Sequence, residues 1–345
     1  MRIVDLRSDT KTLPTEEMLE AIRTAELGDD VDREDPTVNR VEELAAKKLG
    51  KEAGLLVTSG TQGNLVSIMT HTKQGDEIFV EKYSHLYNSE SGAFAAIVGC
   101  IPRLLESNHG IVDPEELEKA IRPPNIHFAK PKLVCIENTH NWWGGAVIRP
   151  EHVKAIVEVA WDHELAVHCD GARIFNAAVA LKTDVKNLVK DCDSVMFCVS
   201  KGLSAPIGSF VVGNEEFIEK ARRNRKLLGG GMRQAGIIAA PAIIAIEKMV
   251  DRLREDHENA RILGEGMTQM GVFDLLPVET NIIIFELARL GITAPEFAIK
   301  LKTKGILAYA REQIVRFVTH RGVTRDDVEY ALAQIEDIVN NLVKS

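Results

Sequence analysis

The chain has 345 residues, 45% of them hydrophobic and 27% charged, the balance of an ordinary globular protein with room for one large and one small domain. A formal charge of −9 argues against a nucleic-acid surface or an anionic membrane as partner. No apolar run approaches a membrane span, the start MRIVDLRSDT lacks the apolar core of a signal peptide, and five cysteines without C-x-x-C spacing read as buried thiols of a reducing cytoplasm.

Residues 1–13 are too short and polar for a core element of their own and read as an arm lying across something else, such as a neighbouring subunit. Thr15-Glu-Glu-Met starts a helix behind Pro14, with Met18, Leu19 and Ile22 at helical spacing. The acidic run Gly28-Asp-Asp-Val-Asp-Arg-Glu-Asp-Pro36 reads as a solvated loop. After a helix from Thr37 to Leu49, the strand Gly54-Leu-Leu-Val-Thr58 runs into Ser59-Gly60-Thr61-Gln-Gly-Asn64 and an apolar helix. Strand, small polar turn and helix start present free amides and a positive dipole end, so Gly60 and Thr61 are candidates for holding phosphate.

The strand Glu77-Ile-Phe-Val-Glu81 delivers His85 to a loop. That histidine is either an exposed loop residue or an imidazole at a strand's carboxyl end, where ligands bind in such sheets, with Glu90 near enough to orient it. Asp113 caps a short helix from Pro114 to Ile121, and a Pro-rich bend precedes His127. Lys132 to Glu137 is a strand ending in Asn138-Thr-His-Asn141. Trp142 and Trp143 cannot both face one core, so at least one packs on a loop or a subunit interface.

A helix from Pro150 to Glu164 feeds an apolar strand that ends in Asp170, Gly171 and Arg173. The next buried strand, Val195 to Val199, runs into Ser200-Lys201-Gly202, and Phe210-Val-Val212 follows. Strands alternating with helices argue an α/β fold, a mostly parallel sheet covered on both faces. A lysine directly after a buried strand, among small residues, loses solvation and deprotonates more readily, as an imine-forming amine must. A carboxylate at another strand tip can pair with the ring nitrogen of pyridoxal 5'-phosphate (PLP) while the lysine holds its aldehyde as a Schiff base. Asp170 and Lys201 fit that pattern.

After a basic helix, Gly229-Gly-Gly-Met-Arg233 is either a hinge or a device that lets Arg233 reach a phosphate, including one in an adjacent subunit. The helix Ala235 to Val250 leads to a smaller α+β domain with the strand Thr280 to Glu286, a helix from Pro295 to Lys304, the strand Ile314 to His320 and a last helix capped by Thr324 and Asp327. The expected division is an arm at 1–13, a PLP-binding domain at 14–250 and a small domain at 251–345. Arg316, inside an apolar strand, either faces water or is held for an anion such as a substrate carboxylate.

The segments Asp5-Leu-Arg-Ser-Asp-Thr10, Ser59-Gly-Thr61, Glu137-Asn-Thr-His-Asn141, His168-Cys-Asp-Gly-Ala-Arg-Ile-Phe-Asn176, Ser200-Lys-Gly-Leu203, Gly229-Gly-Gly-Met-Arg-Gln234 and Arg316-Phe-Val-Thr-His320 closely resemble the low-specificity L-threonine aldolases. Those are PLP enzymes of the aspartate aminotransferase-like fold (fold type I), and the resemblance covers nearly the whole chain. It implies cleavage of L-threonine and L-allo-threonine to glycine and acetaldehyde by a homotetramer, a dimer of dimers, without a metal. Lys201 would be the PLP lysine, Asp170 the partner of the ring nitrogen and His85 the ring-stacking imidazole. Gly60 and Thr61 would bind phosphate, with Arg233 adding to it across an interface. Ser8, Arg173 and Arg316 would hold the substrate carboxylate, Arg173 also touching the cofactor, and His127 matches a second active-site histidine. His85, His127 or a water held by the phosphate would be the base.

Two departures bear on side-chain preference: Asp32-Arg33 stands where the family carries Tyr-Gly, and Tyr309 where it carries Asn. Lys201 and Asp170 are shared with β-eliminating and serine hydroxymethyltransferase-like lyases, which are the alternatives, and a catalytically silent PLP-binding protein is a third.

Overall fold

The computed structural model of the chain describes residues 2–287 and 289–343. Its first half runs β1 (Val4–Asp5), α1 (Glu16–Thr24), α2 (Pro36–Leu49), β2 (Ala53–Val57), α3 (Gly60–His71), β3 (Glu77–Glu81), the one-turn α4 (His85–Asn88), β4 (Ile101–Leu105), α5 (Pro114–Ala120), β5 (Pro131–Glu137) and α6 (Pro150–Asp162). Then come β6 (Ala166–Asp170), α7 (Ile174–Leu181), α8 (Val185–Val189), β7 (Ser194–Cys198), β8 (Ser209–Gly213), α9 (Glu215–Leu227), α10 (Gly236–Lys248) and α11 (Leu253–Gln269). The chain closes with β9 (Asp274–Leu275), β10 (Ile282–Glu286), α12 (Ala294–Thr303), β11 (Ile306–Leu307), β12 (Tyr309–Arg311), β13 (Ile314–Val318) and α13 (Arg325–Val343).

Seven strands form one sheet in the order β2-β8-β7-β6-β5-β3-β4. β8 is antiparallel to β2 and β7, and the remaining pairs are parallel. Successive side chains leave a strand on opposite faces. Leu56, Val195, Phe197, Phe210 and Val212 pack toward Val38, Val41 and Ile243 of α2 and α10. Their neighbours Leu55, Val57, Met196, Cys198 and Val211 pack toward Val66 of α3 and Phe217, Ile218 and Ala221 of α9. Both faces being covered, these strands read as unbroken apolar runs.

The second sheet, β12-β13-β10-β9, is antiparallel. One face supports a core of Phe285, Val315, Phe317, Phe297 and Ile335 under α12 and α13. The other carries Ile282, Ile284 and Val318, where Gly145 lies so close that a Cβ on it would meet Thr280 Oγ1 at 2.2 Å. The amino-terminal segment lies on its own chain. β1 pairs in parallel with β11, and Leu6, fully buried, joins the smaller core.

The acidic run after Gly28 is the solvated loop expected only in part: residues 32–34 are exposed, but Asp30 and Asp35 are buried. Asp35 caps α2 by accepting from Val38 N and also accepts from Gly28 N and Gly236 N. Asp30 is buried against Arg225 of α9 at 2.7 Å, and the same guanidinium donates to Leu56 O. Asp30 finds its partner, and Asp35 one of its donors, far along the chain, which no local pattern announces. All five cysteines are buried and free. No helix among the described residues is long and apolar enough to cross a membrane.

Removing one member of a buried ion pair leaves the other charge uncompensated. Asp30→Ala should therefore cost about 3–5 kcal/mol of folding free energy, read as a lower denaturant midpoint, with Asp30→Asn losing less because an amide oxygen still accepts from Arg225.

Candidate active site

The parallel strands bring their carboxyl ends to one rim, where Glu137 lies opposite Asp170 and Asp170 opposite Met196. Lys201 follows β7 by a short turn and is partly buried, with Ser204 N donating to its carbonyl. Its amine has no bonded partner among the described residues. Asp170 accepts from Asn64 Nδ2 at 2.8 Å on one oxygen and from Ala172 N at 3.1 Å on the other. The same Asn64 amide donates to Glu90 Oε1 at 2.8 Å, and Glu90 Oε1 lies 3.0 Å from His85 Nδ1. One polar atom each from His85, Glu90 and Asp170 thus falls within 4.8 Å of the others.

Glu137 pins two loops of the rim, accepting from His85 N at 2.6 Å and from Asn141 N at 2.8 Å. Burial opposes charge on His85. The bond to Glu90 and the fields of Asp170, Glu90 and Glu137 outweigh it and hold the imidazole pKa above its ordinary value.

A second group lies where the two sheets face each other. Arg173 donates to Asp9 from Nε at 2.8 Å and Nη2 at 2.7 Å, and from Nη1 to Asn141 Oδ1 at 3.2 Å. Arg316 Nη2 donates to that same Asn141 oxygen at 2.9 Å, while its Nε is buried without a partner and no carboxylate pairs with it among the described residues. Burial, with Arg173 adding to it and Asp9 and Tyr309 opposing, brings the Arg316 pKa down to about 10. Burial also resists the ionisation of Asp9, but Arg173, Lys201 and Arg316 hold its carboxyl well below the usual range. Three cations thus surround one carboxylate, an arrangement with room for a second anion. Ser8 Oγ accepts from Thr10 N and Thr10 Oγ1 and keeps its own proton free to donate.

The amino end of α3 supplies a third group. Ser59 caps it through Gln62 N, and Gln62 Oε1 accepts from Thr58, which locks the turn. The N–H groups of Gly60 and Thr61 have no acceptor among the described residues, as helix starts dictate. Gly230 abuts this turn, since a Cβ on it would lie 2.2 Å from Gln62 Nε2. Arg233, three residues on, is largely exposed and directs its guanidinium to Asp29 at 2.9 Å.

Lys201, Asp170, His85, Gly60, Thr61 and Arg173 stand on the rim and the loops around it, while Arg316 of β13 reaches it through Asn141 and Ser8 lies next to Asp9, the partner of Arg173. His127 does not reach it. It is exposed and precedes β5, at the amino end of the parallel strands, so the whole length of that strand, about 20 Å, lies between it and Glu137. Within one chain it does not meet the other groups, so a role for it requires a neighbouring copy's site. Tyr309 lies opposite Arg316 in the β12–β13 ladder and borders a cavity of about 280 Å³ with Arg316, Asn141, Trp142 and Ile284. Trp142 stacks on Tyr83 at 5.6 Å and Trp143 meets that ring edge-on, so both serve a loop cluster. Arg33 holds a left-handed φ of 61° and pairs with Glu219. Sequence reasoning missed Asn64, Asp9, Asn141 and His168. The available signal for the last three was their place inside the segments that carry the resemblance, and Asn64 had none.

The chain matches the Beta-eliminating lyase family over residues 5–289. Low-specificity L-threonine aldolase 1 of Arabidopsis thaliana is 43% identical over 343 residues, covering 96% of this chain and 95% of its own length. The low specificity L-threonine aldolase of Escherichia coli K12 is 42% identical over 328 residues, 94% of this chain and 96% of its own. Among solved structures, the Leishmania major threonine aldolase superposes with a TM-score of 0.85 at 18% identity, over 97% of this chain and 99% of that one. A Thermus thermophilus aspartate aminotransferase does so with a TM-score of 0.74 at 15% identity, over 98% and 97%. The two superpositions establish the expected aspartate aminotransferase-like fold. The chain belongs to the Beta-eliminating lyase family and, within it, to the low-specificity L-threonine aldolases.

Proposed function

We propose that this chain is a PLP-dependent lyase that cleaves L-threonine, L-allo-threonine and other β-hydroxy-α-amino acids to glycine and an aldehyde, acting as a cytoplasmic homotetramer. The observation that carries the reading is the pairing of β6 with β7, by which Asp170 ends one strand and Lys201 follows three residues after the end of its neighbour, with a His85 nitrogen within 4.8 Å of an Asp170 oxygen.

The residues present fit the cofactor. Among the described residues, the Lys201 amine, the two N–H groups at the α3 start and a buried nitrogen of Arg316 have no hydrogen-bond partner. Lys201 would hold the aldehyde, Asp170 the ring nitrogen, His85 a ring face, and Gly60 and Thr61 the phosphate, with Arg233 of an adjacent copy adding to the last. Once bound, PLP supplies the electron sink for the pair left when the Cα–Cβ bond breaks.

The chain's own residues do the rest. Arg316 takes the substrate carboxylate, with Ser8 as a further donor and Arg173, braced by Asp9, as the adjoining charge. Fixing the carboxylate fixes rotation about Cα and therefore which bond faces the sink. Glu90 accepts from His85 Nδ1–H, so the neutral ring presents a bare Nε2 that can remove the β-hydroxyl proton.

Incubation with L-threonine should yield glycine and acetaldehyde in equal amounts; a 2-oxo acid and ammonia in their place would assign β-elimination. Lys201→Ala should lose both the visible absorbance of covalently held PLP and turnover. Arg316→Ala should keep that absorbance while KM for threonine rises about 10- to 100-fold, the worth of a charge-assisted hydrogen bond.

A raised His85 pKa means that the ring keeps its proton to higher pH than an ordinary histidine, so the base is lost as pH falls through that value. The acid limb of the kcat profile should accordingly lie above the ordinary histidine value. Glu90→Gln removes a carboxylate that favours the charged ring and should shift the limb to lower pH.

A further inference from the structure

Behind Asp170 lies a line of buried polar groups that the reaction as described does not use. Asn64 and His71 are two turns apart on one face of α3, and His168 and Asp170 alternate onto the same face of β6. Ser194 lies opposite His168 in the β6–β7 ladder. These positions place His71 Nε2 2.8 Å from Ser194 Oγ, Ser194 Oγ 2.8 Å from His168 Nδ1, and His168 Nε2 3.0 Å from Asn64 Oδ1.

Every proton on this line has one place to be. Asn64 Nδ2 faces two carboxylates, and a reversed amide would set its oxygen against both, so Oδ1 must face His168. His168 Nε2 then carries a hydrogen. Burial lowers the His168 pKa to about 4 and that of His71 to about 3, with Asp170 opposing the first and His168 adding to the second. Both rings are therefore neutral near pH 7. A neutral His168 with hydrogen on Nε2 has a bare Nδ1, which accepts from Ser194 O–H, and Ser194 Oγ accepts in turn from His71 Nε2–H. All the bonds run one way and end on Asp170 and Glu90.

We infer that Asn64 is the positioning residue of this site: its amide holds Asp170 and Glu90 together, and His168, Ser194 and His71 hold the amide. Two carboxylates at close range repel and tend to swing apart or share a proton. One amide that gives a hydrogen to each opposes both outcomes, and it joins the acid under the ring nitrogen to the acid that orients His85. This inference rests on the cofactor reading of Asp170 and His85 given above.

The test uses the full-length chain and added PLP. In ¹⁵N NMR of the wild type, His168 should be a neutral ring protonated on Nε2, with or without PLP. Asn64→Leu keeps the shape but has no donors, and it should weaken PLP binding, followed by visible absorbance, about 10- to 100-fold. His168→Leu should do the same. His168→Gln can place an amide N–H where the Nε2–H lies and should bind as the wild type does. In the Leu variants kcat for threonine should fall while KM holds, because the carboxylate end is untouched.

A proton on Nδ1 of His168, wild-type PLP binding by the Leu variants, or a glutamine variant as weak as the leucine one would each overturn the inference. Should a Leu variant fail to fold, the ring measurement and the glutamine variant still decide. A wild type that binds PLP but cleaves no β-hydroxy amino acid would end the aldolase reading and leave this one standing.

Discussion

One buried carboxylate ties the molecule together. Asp9 has no access to solvent, is clasped by two nitrogens of Arg173, and accepts from Asn281 Nδ2 at 3.3 Å. It thereby joins three pieces of chain: the amino-terminal segment, the loop after β6 and the start of β10. A desolvated charge this deep persists only where its partners are strong, and here the strongest are a guanidinium and two further cations nearby. Asp9 does not neutralise the cluster, and the charge left over is what an amino-acid carboxylate could meet.

The parallel sheet explains why so many polar groups share one rim. Strands that run the same way end on the same side, and the loops after them carry side chains that need not pack. Glu137, Asp170 and Lys201 arrive by this route. α3 crosses the sheet below them because Gly63 lets it lie close: a Cβ there would come within 2.6 Å of Met196 Cγ. The helix then has Asn64 beneath the rim, and beside it the amides of Gly60 and Thr61, which have no acceptor among the described residues.

Much of this was legible in the chain. The strand Glu77–Glu81 stands where the apolar pattern put it, and Asp170 and Lys201 occupy strand tips because polar residues following buried runs have nowhere else to lie. Asn64 was not legible, since an asparagine inside an apolar helix carries no sign of what it faces. The burial of Asp30 and Asp35 depends on Arg225 and Gly236, close to 200 residues on, and composition alone makes such a run look wet. α11 escaped notice because Gly264, Gly266 and a series of charges dilute Leu253, Ala260, Leu263 and Met267. The edge strand β4, with Pro102 and Arg103, lacks the apolar run that marked its neighbours.

The opening residues have less freedom than a terminus usually enjoys. Val4 and Asp5 are stitched to β11, Leu6 O accepts from Val318 N, and only two residues separate Leu6 from the Asp9–Arg173 clasp. The segment works as a strap of fixed length, fastened to the small sheet at one end and, through Asp9 and Arg173, to the rim of the parallel sheet at the other. Inserting or deleting a single residue between Leu6 and Asp9 would pull the buckle out of place, so natural variation and engineered tags alike have to stop short of this span.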